Sequence, residues 1–525
     1  MPVCLWTCHR ARLGRLARTS LTRAAAFWLA TLISIVLPGW HSVVRAQAAP
    51  PPSSGCTRAV AAAAAAAAPC LTTLVITDNA TGVFGFNGLE LAAAEADDSA
   101  YAALLKTCGP SGAGCTGAQL NLFDRLRTLE DNAAELLGYG ETQFSTHLSA
   151  QALGFALRWT ADEEYSAQGS LTNRLATNQL EAVSNRLSAL RFLAQNPFAR
   201  GDSSNDDAEV AEADSSGGKL GGGASADSDQ IGKWSVFANA AYGSGDKAPT
   251  TFDDAFSFGA TEANVGADVQ LSRRMVAGVL LSEVQQHADF NSSESITSGN
   301  VKGSGAGISG YFAEDWDAAY VNLSLGVQRM SLETRRVVAY PSNNPQVTAV
   351  NSAFLSSTNA TSWVASLSSG YSIYFRRFSV QPFLGWQYLG TRIGAFAERG
   401  SGSDPEFALA VQGQSITSSV GSLGLNFDYA WSSRFGVIRP FVRGEYRHEF
   451  RDQSQSITSN YVNSNSAPDR FELPTDQIDP NYYVVSGGIQ TVLPHRIQLY
   501  LQYMKVLQLQ FYNYYAVSGG FRFDF

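Results

Sequence analysis

The chain has 525 residues, enough for two or three domains. Its 37 Lys and Arg stand against 46 Asp and Glu, a formal net charge of −9 that excludes nucleic acid as a partner, because an acidic surface repels phosphate.

Residues 1–46 have the layout of an export signal that engages the Sec translocon. Arg10, Arg12, Arg15, Arg18 and Arg23 precede an apolar run from Ala24 to Leu37, and Val44-Arg45-Ala46 ends the segment. The apolar run is shorter than the roughly 18 residues of a spanning helix. Loss of six arginines on processing leaves 31 basic residues against 46 acidic ones. No later apolar run reaches the roughly 20 residues of a spanning helix, so any further membrane crossing must use strands.

Residues 47–70 form a Pro- and Ala-rich tether, with unbroken alanine from Ala61 to Ala68. Residues 71–162 read as a small, mainly helical passenger or stalk. Within it, Leu71 to Phe86 has a short β-like character, and the period becomes helical from Leu89 onward, as in Leu120, Phe123, Leu126 and Leu129. Cys56, Cys70, Cys108 and Cys115 are the cysteines that remain after processing, and their order suggests two local disulfides, Cys56 with Cys70 and Cys108 with Cys115. No histidine cluster accompanies them, so metal binding is not assigned. Residues 163–200 form a further helix. Residues 201–231 are an acidic Gly/Ser linker, too poor in apolar residues to offset its ordering entropy. Arg200-Gly201-Asp202 spells the tripeptide read by integrins, a three-residue match that chance supplies in a chain of this length.

From residue 232 to 525 the period is two. In Ile497, Leu499, Leu501 and Tyr503 one face is apolar, while Gln498 and Gln502 alternate with it. About twelve such segments are expected, near 233–243, 258–271, 275–289, 300–313, 318–335, 358–375, 378–394, 409–430, 436–450, 482–492, 496–506 and 513–525. Short turns alternate with long polar loops, which predicts an antiparallel transmembrane β-barrel with both ends at the periplasmic side of a bacterial outer membrane. Trp316, Trp363, Trp386, Trp431, Tyr482 and Tyr483 are expected in interfacial girdles against outer-membrane lipid. The fold class is therefore membrane all-β with a small helical N-terminal region.

The succession Gln381-Pro382-Phe383-Leu384-Gly385-Trp386-Gln387-Tyr388, Phe396-Ala397-Glu398-Arg399-Gly400, Leu409-Ala410-Val411, Ser422-Leu423-Gly424-Leu425, Arg439-Pro440-Phe441-Val442-Arg443 and Arg447-His448-Glu449-Phe450 resembles the translocator barrel of autotransporters, the type V secretion proteins. The resemblance implies translocation or display of the chain's own N-terminal region. It also implies a pore helix, for which 163–200 is the candidate, with Asn173, Arg174, Asn178, Gln179 and Arg186 toward the lumen. Outer-membrane proteins resemble one another in ending with Phe, so Phe521, Phe523 and Phe525 are the expected signal for the barrel assembly machinery, an exposed strand offered for β-augmentation. Two rival readings are a channel or structural barrel whose helical region stays periplasmic, and a surface adhesin whose host or surface ligand is unknown.

The sequence carries little that points to bond chemistry. Gly-x-Ser-x-Gly, His-Glu-x-x-His and phosphate-loop patterns are absent from the sequence. Asp227, Asp229 and Gly232 fail as a calcium loop because Ile231 and Ala238 occupy ligand positions. His287 near Asp289, His448 beside Glu449, and His495 are read as lumen or rim residues, so no catalytic residue and no cofactor is assigned.

Overall fold

The computed structural model describes Cys56 and residues 70–169, 171, 234–272, 274–290, 295–316, 318–433, 436–464, 470–477, 479–493 and 497–524. Twelve strands close into one antiparallel barrel: β1 (Trp234–Lys247), β2 (Phe256–Gln270), β3 (Met275–Asp289), β4 (Gly299–Trp316), β5 (Ala319–Tyr340), β6 (Val350–Tyr371), β7 (Phe378–Ile393), β8 (Gln414–Tyr429), β9 (Gly436–Glu449), β10 (Asn481–Leu493), β11 (Ile497–Leu507) and β12 (Tyr512–Asp524). Each pairs with its sequence neighbour, and β1 closes on β12 from Ser235↔Asp524 to Lys247↔Tyr512. Closure removes the sheet edges that hydrocarbon could not satisfy.

Alternation decides which side chain meets lipid. On β11, Leu501 is 60% exposed while Gln502 is 8% exposed. Asn264, Ser282, Ser324, Gln328 and Ser486 are likewise buried toward the lumen, whereas Leu281, Leu325, Leu425, Val442 and Ile489 are exposed outward. An apolar belt over a polar interior is the outer-membrane arrangement. Trp234, Trp316, Trp431, Phe375 and Phe523 are exposed near the short-turn end, and Trp363, Trp386 and Tyr483 stand higher on the outer wall. Tyr482 departs from the girdle expectation, since it lines a cavity inside the mouth. Gly520 marks a close approach: a Cβ there would sit 2.6 Å from Asn239 Cβ and 2.8 Å from Tyr500 Cε1.

Three strand boundaries differ most from the sequence reading. β5 and β6 are 22 residues each and run on to Tyr340 and Val350, where a loop from 338 to 357 was expected. A transmembrane strand needs only about 9–11 residues, so this hairpin protrudes beyond the lipid. Leu409–Val411 does not continue into β8; it pairs with Phe396–Ala397 and Ser456–Tyr461 in a small four-stranded sheet completed by Phe471–Pro474.

Before the barrel lie α1 (Cys70–Thr81), α2 (Gly88–Cys108), α3 (Gly117–Leu136) and α4 (Ala150–Thr160). α1 corrects the β-like reading of 71–86. Its first N–H groups are met from outside the segment: Cys70 N–H donates to Glu130 at 2.8 Å and Thr72 N–H to Asp98 at 2.8 Å. Carboxylates at a helix N-terminus satisfy orphan donors and favour the helix dipole. α2 starts at a capping box in which Asn87 accepts from Glu90 N–H and Glu90 accepts from Asn87 N–H, and Asn87 also accepts from Leu89 N–H.

Candidate functional site

The long loops gather at one end of the barrel, and the helical region docks there. Leu74, Leu89, Phe123, Leu126, Leu153 and Leu157 share one hydrophobic cluster with Val338, Tyr340, Phe354, Phe407, Tyr461 and Phe471 of the hairpin and outer loops. The helices therefore form a cap that completes its core on the barrel. A helical region of this size gains much of its buried surface from that docking.

Polar contacts fix the docking register. Arg125 donates to the Thr348 carbonyl at 2.7 Å and pairs with Asp404. Asn344 Nδ2 donates to the Ser145 carbonyl at 2.7 Å and the Gln143 carbonyl at 3.0 Å. Leu89 N–H reaches the Thr251 carbonyl at 3.1 Å.

At the centre, Arg336 on β5 is fully buried and forms a bidentate pair with Glu398, with both N···O distances 2.8 Å. Arg336 also donates to the Phe407 carbonyl at 2.8 Å and to the carbonyls of Trp159 and Thr160 at 3.4 Å. Glu398 accepts from Tyr165 Oη at 2.5 Å and Leu409 N–H at 2.7 Å. One ion pair thus joins the end of α4, the outer sheet and the helical turn that follows. With this many partners the pair escapes the penalty of a bare buried charge.

Buried carboxyls surround this junction. Asp97 accepts from Tyr461 Oη at 2.6 Å and Thr160 Oγ1 at 3.0 Å, and burial pushes its pKa up to about 7 against those donors. Burial raises Asp162 to about 6, and raises Glu163 to about 8 although Arg158 lies 3.2 Å away. Glu164 is raised in the same direction by burial.

The helical turn 164–169 enters the mouth. Gln168 donates to Thr334 Oγ1 at 2.8 Å, and Ala167 and Leu171 pack with Phe256, Phe258, Phe290 and Met504 of the barrel. Asn173, Arg174, Asn178, Gln179 and Arg186 lie outside the described residues. Phe521 and Phe523 face outward on β12, whose backbone is already paired with β1 and β11; Phe525 lies outside the described residues. Cys56 and Cys70 are bonded with Cα atoms 4.9 Å apart, and Cys108 and Cys115 with Cα atoms 4.6 Å apart. His448 Nδ1 donates to Asn481 Oδ1 at 2.9 Å, while Glu449 turns inward, so the two stand on opposite faces.

Sequence reasoning missed Arg336 and Asp97. Only the alternation of β5 pointed to Arg336, which shares the inward register of Leu332 and Thr334.

The autotransporter beta-domain family matches residues 236–504. No curated protein matches. Among solved structures, the translocator domain of the autotransporter NalP from Neisseria meningitidis is 14% identical, over 56% of this chain and 88% of that one, with a TM-score of 0.43. The beta domain of the Bordetella autotransporter BrkA is 16% identical, over 56% and 100%, with a TM-score of 0.39. The transport unit of AIDA-I from Escherichia coli is 9% identical, over 55% and 90%, with a TM-score of 0.38. The family match spans half of the chain and covers nine strands whole and parts of β1 and β11, so this chain belongs to the autotransporter beta-domain family and is a translocator-type barrel of the bacterial outer membrane.

Proposed function

We propose that the barrel carries its own N-terminal region to the cell surface and retains it there as a docked cap, with the chain after Leu171 passing through the lumen. The observation that supports this is topological. The cap packs on the long-loop end, while Ser235 and Asp524 pair at the short-turn end. Short turns face the periplasm in such barrels, so Leu171 stands at the outer mouth and Trp234 at the inner end. Lipid bars any route outside the wall. In this reading residues 1–46 address the chain to the Sec translocon, the C-terminal aromatics address it to the barrel assembly machinery, and 163–200 supplies the pore helix. Confinement and packing do the work, without bond chemistry.

An epitope inserted at the α2–α3 turn, between Gly109 and Gly114, tests the display. Antibody should label intact, unpermeabilised cells. Labelling only after permeabilisation would sink the proposal and favour a barrel with a periplasmic helical region.

A further inference from the structure

The outer wall of β5, β6 and β7 carries arginines at the upper margin of the lipid-facing belt. Arg329 on β5 stands opposite Thr361 on β6, and Thr361 opposite Arg392 on β7; both arginines are exposed on the outer face. Arg329 lies ten residues beyond Ala319, at the short-turn end. At about 3.4 Å per residue and a tilt of about 40° this is a rise of about 25 Å, the height of the apolar band. Below the row the same faces are apolar, with Leu323, Leu325 and Val327 on β5 and Trp363 on β6. The Arg392 guanidinium lies 5.6 Å from the Trp363 ring, a contact that holds it at this margin.

A second row repeats the arrangement six residues further out. Arg335 on β5 stands opposite Leu355 on β6, and Leu355 opposite Arg399 on the short strand Arg399–Gly402. Both arginines are exposed, about 15 Å above the first pair. None of the four has an ion-pair partner among the described residues. Between the rows β6 presents Ser357 and Asn359 outward, neither of them charged.

Carboxylates also occur on this wall, and their positions decide what they do. Glu283 and Asp289 of β3 stand in the same two rows, and Glu333 of β5 faces Lys302 of β4 directly across the ladder, so those two add no net charge. A phosphate over β6 has an arginine one strand away on each side, at about 5 Å, while the β3 carboxylates are three strands away, at about 14 Å. The Debye length is about 8 Å at physiological salt, so the flanking arginines dominate over β6. On the far side of the barrel the outward cation Lys505 of β11 has only Val485 and Tyr515 as its neighbours across the ladder.

We propose that this face binds a phosphorylated glycolipid of the outer leaflet. Phosphates of its lipid anchor lie between Arg329 and Arg392, phosphates on its outer sugars lie between Arg335 and Arg399, and its acyl chains rest on Trp363 and Leu325. Guanidinium groups match phosphate bidentately, and Ser357, Asn359 and Thr361 offer uncharged donors to the sugars between the tiers. The inference uses the orientation of the barrel and stands whether or not the cap is displayed.

The test titrates the full-length protein in neutral detergent micelles with bisphosphorylated lipid A, with the same lipid stripped of its phosphates, and with lipopolysaccharide carrying a phosphorylated core, read by native mass spectrometry. Saturable binding of the bisphosphorylated lipid is expected, weakened about 30-fold when Arg329→Gln and Arg392→Gln are combined. Removing the lipid's phosphates should weaken it similarly on the unaltered protein, which keeps the comparison free of any folding defect. Arg335→Gln with Arg399→Gln should weaken lipopolysaccharide but leave lipid A unchanged, and Lys505→Gln should change neither. Phosphatidylglycerol, an anionic lipid without sugars, should bind more weakly. No saturable binding, indifference to the lipid's phosphates, equal losses from Lys505→Gln, equal loss of lipid A from the upper pair, or equal binding of phosphatidylglycerol would overturn the proposal.

Discussion

Replacing Arg336 by Ala should detach the cap while leaving the barrel closed. The guanidinium is fully buried and makes two 2.8 Å contacts with Glu398 and one with the Phe407 carbonyl. Removing it strands a carboxylate that retains Tyr165 and Leu409 as donors but no counter-charge. Breaking one side of such a pair costs about 3–5 kcal/mol, a loss of about 150- to 5,000-fold in the docking equilibrium. Hydrogen exchange in micelles reads this directly, because amides of α4 and the Leu409–Val411 strand exchange only when the cap opens. Heat-modifiable migration on gels checks that the barrel persists. The double variant Arg336→Leu with Glu398→Leu should recover much of the protection, since an apolar pair of similar shape is often neutral or better. Protection within about twofold of the parent in Arg336→Ala, or a double variant no better than the single one, would refute the reasoning that the cap is held through this charge pair.

Three further outcomes are expected. Asp97, Asp162 and Glu163 are pushed up by burial to about 7, 6 and 8, so the docked state holds protons that the undocked state has released; their contribution is full below about pH 4 and is lost as pH rises through 6 to 8. Protease sensitivity of residues 70–169 should therefore increase between pH 5 and 9, and Asp97→Asn should flatten the profile; a pH-independent digest in the parent contradicts it. Leu501→Arg places a cation on the lipid face and should cost about 2–4 kcal/mol in urea unfolding from vesicles if its depth is near the midplane, whereas Gln502→Arg, facing the lumen, should cost far less. Deleting 163–200 should raise single-channel conductance in planar bilayers, and unchanged conductance would remove the helix from the pore.

What the residues decided alone, and what they could not, divides along the range of the forces involved. The alternation Ile497, Leu499, Leu501, Tyr503 against Gln498 and Gln502 is a local consequence of a two-residue period meeting lipid on one side and a polar lumen on the other, so the strands, their faces and the loop asymmetry were legible. The local order of cysteines similarly suggested the pairs that the structure bonds. The helical cap was legible only as helices, and α1 not even as that: Thr72, Thr73, Val75, Ile76 and Thr77 favour a strand locally, and the helix wins because Asp98 and Glu130, on α2 and α3, take its first N–H groups. Arg336 and Glu398 are 62 positions apart and meet only because β5 runs past the membrane and the outer loops fold back over it. The barrel follows from periodicity in the chain, while the docking of the N-terminal region on its mouth follows from contacts between distant segments, which no local pattern records.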